Sequence, residues 1–307
     1  MIKGELADKA GQLAHDRMPF VIATIVRARR PTSVRPGDSA IVLPDGTIDG
    51  FVGGVCAEST VRLYSLRALE TGEPVLLRLV PGDDEADTDR SLEGAVVEHN
   101  PCLSGGSLEI FLEPQLPAAR IVVVGSAPIA TALGRVARAA DYEVVHTERD
   151  DGEGLGSAAA VIVASHGSGE ERVLAEALAA GVPYVALVAS ATRGAAVRAV
   201  LEVPEELRTQ LHTPAGLSIG ADTPAEIAIS ILAEVVAERH AHPDRRRTAG
   251  AVVASVISAV DPVCGMAVAV TETTVSLDVD GERVFFCCEH CRDAYAEQHA
   301  GHAASSQ

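Results

Sequence analysis

The chain has 307 residues, 47% of them hydrophobic, enough for about two domains with a small extra module and for a sizeable core. Aromatics are only 3% and Trp is absent, so that core must be built from Ala, Val, Leu and Ile. The formal net charge of -18 argues against nucleic acid, whose binding rests on Lys and Arg releasing counterions from phosphates, and against an anionic membrane surface.

In chain order, residues 5–18 read as a helix, and residues 20–26 as a dense β-branched strand stopped by Pro31, Pro36 and Gly37. Residues 39–43 and 47–52 form a predicted hairpin about the turn Pro44-Asp45-Gly46. Gly53 and Gly54 follow, a pair that lets the backbone turn tightly and a ligand come close. Cys56 comes next, in the first turn of a helix with Ala57, Val61, Tyr64 and Ala68 on one face and Gly72 at its end. A thiol there feels the positive end of the helix dipole, which favours thiolate. Strands are expected at residues 75–80 and 95–98, around an acidic loop (Asp83, Asp84, Glu85, Asp87, Asp89) that reads as a solvated surface. Cys102, Gly105 and Gly106 then repeat the theme of a cysteine beside two glycines, ahead of a last strand at 107–113. The two loops suggest a soft-ligand or sulfur-handling site. They are equally compatible with ordinary turns beside buried cysteines. The first domain is expected to be α+β, over residues 1–116.

A different pattern starts at Arg120. Strands at 121–124, 142–146, 159–164 and 183–188 alternate with helices, which predicts a Rossmann-like parallel sheet over residues 117–241. The first of these helices has Pro128 in its first turn and Ile129, Leu133, Val136 and Ala140 on one face. Residues 168–171 read as a capping box. After Gly125, Ala127 and Ala130 stand where a dinucleotide fingerprint has glycine, and Pro128 removes an N–H. That weakens the case for an NAD(P)-dependent oxidoreductase, though the helix N-terminus could still hold phosphate. His166 follows the third strand, at the sheet edge where open parallel sheets bind ligands. His212 opens a Gly/Pro loop that runs to Gly220. Thr223, Pro224 and Glu226 then supply an N-cap, a proline at N1 and a capping box for a helix with Ile227, Ile231 and Val235 at core spacing.

Residues 242–258 read as a linker. Residues 259–301 form a small module with four of the six cysteines. Cys287 and Cys291 are expected to share one helix face, with Cys264 on an earlier turn as third thiolate. Three thiolates suit Zn or another soft metal, with Cys288 and His290 as candidates for a fourth ligand. A module this small gains from a metal staple. No signal-like segment and no apolar run of transmembrane length is seen, so the expected setting is a reducing cytoplasm.

Three sets of residues carry a family resemblance. Residues 20–114 resemble the XdhC/CoxI domain through Ala23-Thr24-Ile25-Val26, Pro36-Gly37, Gly53-Gly54-Val55-Cys56-Ala57-Glu58 and the Cys102 to Gly106 loop. Residues 120–241 are similar to that family's Rossmann domain, through the strand before Gly125, Ser165-His166, and His212 to Gly220 with the Thr223-Pro224-Ala225-Glu226 start. Residues 260–297 resemble the YHS (TRASH-like) module, a treble-clef-like metal fold, through Asp261-Pro262-Val263-Cys264-Gly265-Met266 and Phe286-Cys287 with Cys291. The resemblance implies an α/β accessory protein rather than an enzyme. Such a protein binds the molybdenum cofactor (molybdopterin), helps its sulfuration, and delivers it to an apo molybdenum hydroxylase of the xanthine dehydrogenase or carbon monoxide dehydrogenase type. A cysteine desulfurase and a second copy of the chain are further implied partners. Carried over by position, cofactor contacts fall to Gly53, Gly54, Cys56, Glu58, Cys102, Gly105, Gly106, Gly125, His166 and His212. Arg27, Arg29, Arg30 and Arg35 could meet an anionic cofactor or line a solvated loop. The chain departs from the family at Val55, in place of a third glycine, at Leu103 and Ser104, between the second cysteine and its glycines, and at Ala127 and Pro128. A metal sensor or metallochaperone acting through the last module is the alternative reading.

Overall fold

The computed structural model describes residues 4–81, 94–100, 106–147, 155–165, 169–241, 256–279 and 281–303. The chain forms two compact units. One joins Met1–Leu116 to Val253–Gln307, and the other is Pro117–Val252.

The first unit opens with α1 (Glu5–His15) and is built on a six-stranded sheet. Its strands are β1 (Phe20–Arg29), β2 (Ser39–Val42), β3 (Ile48–Gly50), β4 (Val75–Pro81), β5 (Ala95–Asn100) and β6 (Ser107–Gln115), in the order β3-β2-β1-β6-β4-β5. The β2–β3 hairpin closes as the turn residues dictate, with Leu43 N–H donating to the Thr47 carbonyl. One face of the sheet is fully buried. Val21, Ala23 and Ile25 of β1, Leu77 and Leu79 of β4, and Leu108, Ile110 and Leu112 of β6 alternate inward at period two. A bulge at Val26 brings Arg27 opposite Glu109. The β4–β5 pair is parallel. The acidic loop itself lies outside the described residues.

Helix α2 (Val55–Thr71) covers the buried face and ends on left-handed Gly72, as its sequence requires. The expectation of a single apolar face is too narrow. Ser59, Thr60, Leu63, Ser65, Leu66 and Leu69 are buried as well as Ala57, Val61 and Ala68. The reason is a second layer. The C-terminal segment supplies two ribbons, β12 (Ser258–Val260) with β13 (Ala267–Ala269) and β14 (Ser276–Val279) with β15 (Glu282–Phe285), followed by a helix, Glu289–Ala303. Strand β13 packs on α2, and Ala269 is part of the same core as Val61 and Leu63. A helix buried on both sides reads as mixed rather than amphipathic.

The second unit carries a parallel sheet of β7 (Arg120–Val124), β8 (Glu143–Thr147), β9 (Ala160–Val163), β10 (Val185–Leu187) and β11 (Leu211–His212), ordered β11-β10-β9-β7-β8. The chain changes direction across the sheet between β7 and β9, which makes their carboxyl ends the switch point. Helices α3 (Pro128–Ala139) and α7 (Pro224–Ala241) pack on the face of Ile121, Val123 and Ile162. Helices α4 (Glu170–Ala179) and α5 (Ala191–Val200) cover the face of Val122, Val161 and Leu187, beside the short α6 (Glu205–Arg208). The whole is mixed α/β with a Rossmann-like second unit.

Three local expectations are corrected. The buried stripe of α3 is Ala130, Leu133, Gly134 and Ala137, and Ala140 is exposed. Helix α3 is pressed against both the sheet and α7, so its closest contacts fall on small residues. Helix α4 is capped by left-handed Gly169 without a side-chain bond, and Glu170 turns inward. Cys287 lies in a bend ahead of the last helix, α8 (Glu289–Ala303), rather than on it.

Candidate functional site

The first unit contains a cleft of about 580 Å³ at the start of α2. Gly53 reaches φ 135°, a conformation L side chains rarely adopt, and an added Cβ would stand 3.0 Å from that of Ala57. Gly54 caps α2 and offers no side chain to its first N–H groups. Cys56 therefore sits half-buried at the positive end of a five-turn helix. Gly53, Gly54 and Cys56 form one wall of the cleft, together with Gly106. Pro31, Thr32 and Ser33 form another, and Cys288, Glu289 and His290 a third. Two hydroxyls, a thiol pair, an imidazole and the Glu289 carboxylate on mostly apolar walls suit a flat, partly polar ligand, and the volume is of ligand-pocket size.

The C-terminal module brings its thiols to the same place. Cys287 Sγ lies 3.5 Å from Cys264 Sγ and 3.6 Å from Cys291 Sγ. Zn–S bonds of about 2.3 Å in a tetrahedron require S···S edges of about 3.8 Å, so this triangle fits the ion with little movement. An Asp261 oxygen joins the group within 4.8 Å. Asp261 is fully buried, and its carboxylate accepts N–H bonds from Val263 and Cys264 on one oxygen and from Cys287 on the other. Burial alone would raise its pKa; the N–H bonds outweigh that and hold it below the usual carboxylate value. Asp261 thus sews the two thiol-bearing turns together. Contact with Cys56, burial and Asp261 push the Cys287 thiol far up, and burial raises Cys291 and Cys264. Metal binding here must therefore displace protons.

The remaining sequence-derived residues are scattered. Glu58 is not part of the cleft wall and acts electrostatically on Arg62, whose Nε donates to the Gly46 carbonyl. Cys102, Gly105 and His166 lie outside the described residues. Arg27 and Arg29 line a separate polar cavity of about 320 Å³ with Arg78, where Glu109 lies 3.0 Å from Arg27 and 3.8 Å from Arg78. Arg30 and Arg35 are exposed and belong to neither cavity.

In the second unit, Gly125 takes φ 114° where the end of β7 meets the end of β9, and a Cβ there would come within 2.3 Å of the Ala164 carbonyl oxygen. Only glycine fits that approach. Ala127 is packed into the core and Pro128 begins α3. His212 ends β11 instead of opening a loop, and its Nδ1 lies 3.2 Å from Glu234 on α7. Glu234 also accepts from Tyr184 Oη at 2.6 Å and from Gly216 N–H at 2.8 Å, which ties the loop after β11 to α7. Burial and Glu234 together drive the Tyr184 phenol well above its ordinary range. Near the switch point, Glu170 is held by Arg193 at 2.6 Å and by Ser165 Oγ at 2.9 Å.

Sequence reasoning missed Asp261 as a donor and the meeting of Cys56 with Cys288. Asp261 had a local signal, since an Asp whose oxygen accepts N–H groups two and three residues ahead is a turn-former. The meeting of Cys56 and Cys288 had none, because the residues come from opposite ends of the chain.

A family profile described as the XdhC and CoxI family matches residues 13–79, and one described as the XdhC Rossmann domain matches residues 121–235. The uncharacterized protein YqeB of Escherichia coli (strain K12) is 27% identical over 263 residues, which is 76% of the chain and 46% of that protein. The chain therefore spans about half the length of the relative it matches. A crystal structure of a xanthine dehydrogenase from Bacillus halodurans aligns with 76% of the chain and 95% of its own, at 16% identity and a TM-score of 0.35. No described helix is long and apolar enough to cross a membrane.

Proposed function

The chain belongs to the XdhC and CoxI family, and from that premise we propose that it is an accessory protein for a xanthine dehydrogenase-type molybdenum hydroxylase. In this reading it takes the molybdenum cofactor into the cleft at the start of α2, helps its sulfuration, and passes it to the apo-enzyme. The observation that carries the proposal is Cys56, a half-buried thiol at a helix N-terminus on the wall of a pocket of ligand size. The cofactor is anionic and sulfur-rich. The start of α2 offers N–H groups and a favourable dipole to its charge, and Thr32 and Ser33 offer hydroxyls. Bound cofactor would supply the soft metal centre, while the chain's own part is to hold the pterin and keep water from it.

The test is to isolate the protein from cells that make molybdopterin and measure pterin fluorescence after oxidation. Wild-type protein is expected to carry pterin, and Cys56→Ser to bind about tenfold more weakly, equivalent to ~1.4 kcal/mol. Absence of pterin from the wild-type protein would sink the proposal. A Cys56→Ser variant with undiminished binding would remove Cys56 from it. A second reading, a metal sensor or metallochaperone, is favoured by the thiol triangle of Cys264, Cys287 and Cys291. It requires zinc or another soft ion to bind reversibly, and metal analysis of Cys264→Ser checks it.

A further inference from the structure

We propose that Cys56, Cys287 and Cys288 form a second thiolate site for a soft d10 cation, sharing the Cys287 sulfur with the first triangle and open to the cleft. The three sulfurs lie within 4.8 Å of one another, and Cys287 and Cys288 are 3.7 Å apart. Two overlapping sets of donors thus meet at one atom. A thiolate sulfur has lone pairs enough to bridge two soft ions, and all-sulfur sets select Cu(I) or Zn(II) over harder cations.

The two sets differ in access. Cys56 and Cys288 belong to the cleft wall, and Cys264 and Cys291 do not. The first set has the buried Asp261 oxygen as a fourth donor, whereas the second presents two of its three thiols to the cleft, where an incoming ligand can take the fourth position. Cys56 lies in the first turn of α2, and Cys288 immediately precedes α8, so the two thiols stand at the starts of two long helices. The donors are brought together by the packing of β13 on α2. None of the described cysteines is in a disulfide.

This inference does not rest on the cofactor reading. An ion held by Cys56 would compete with any cofactor that needs the same thiol, so metal loading is measured without cofactor and the two readings fail separately. Fully reduced full-length protein is titrated with Zn(II) against a chromophoric chelator, and in parallel with Co(II) as a spectroscopic substitute. The expected result is two equivalents for the wild-type protein and one for Cys56→Ser and for Cys288→Ser. With Co(II), the thiolate charge-transfer band should grow through the second equivalent. The paramagnetic signal should then fall, because the shared sulfur couples the two ions. A single equivalent in the wild-type protein overturns the proposal. So does a count of two in both variants, or a second equivalent that adds no thiolate band.

Discussion

At the scale of single residues, sulfur and glycine were legible to different depths. The spacing of Cys264, Cys287 and Cys291 was enough to expect one triangle, because two of the three are close in sequence and the third is in a turn. Asp261 was hidden in plain view, since its work is to accept backbone N–H groups rather than to show a motif. Replacing it with Asn keeps one acceptor oxygen and leaves the Cys287 N–H facing an amide donor. Asp261→Asn is expected to cost about 1–3 kcal/mol in metal-free protein, measured as a loss of thermal stability that zinc only partly restores. Gly125 gives a sharper case. Its missing Cβ is demanded by the Ala164 carbonyl, which is backbone and cannot move aside. Gly125→Ala should destabilise the second unit by about 3 kcal/mol or more, seen as a lower urea midpoint. His212, expected as a cofactor contact, is partnered by Glu234 on the next element, α7, a pairing that its own sequence neighbourhood does not announce.

At the scale of elements, punctuation was read better than burial. The Pro44-Asp45-Gly46 hairpin and the start of α7 follow directly from turn and cap chemistry. Thr223 N–H donates to Glu226 Oε2 at 2.9 Å, and Glu226 N–H donates back to Thr223 Oγ1 at 3.3 Å. Thr223→Ala is expected to cost about 1 kcal/mol in urea unfolding of the second unit. The N–H groups of Thr223 and Asp222 hold the Glu226 carboxyl below its ordinary pKa. Its contribution is therefore present above the ordinary glutamate value and is lost as pH falls through the lower folded value. NMR titration of Glu226 in wild-type protein should show that depressed midpoint, and Thr223→Ala, which keeps both backbone N–H donors, should retain most of the depression. Burial was harder. The stripe of α3 is set by α7 as much as by its own sheet, and α2 is covered twice, so neither shows the simple periodicity of a surface helix. Helix α5, rich in Ala and Arg with only Val197 and Gly194 buried, offers almost no apolar signal at all.

At the scale of the molecule, alternation of strands and helices was enough to give the parallel sheet of the second unit, since right-handed crossovers leave few alternatives. The composition of the first unit was not legible. Nothing in residues 1–116 states that β13 will be needed to cover α2, because buried Ser59, Thr60 and Ser65 look like surface residues in a sequence. Deleting residues 253–307 should therefore expose one side of α2 and lower the stability of the first unit by several kcal/mol, on the order expected for uncovering a few apolar side chains. The same discontinuity bears on biosynthesis. The ribosome completes every strand of the second unit before the segment that closes the first has been made. At roughly 5–20 residues per second the amino-terminal sheet waits on the order of ten seconds or more with α2 half covered. A nascent chain paused in that interval is where a chaperone would be expected to find it.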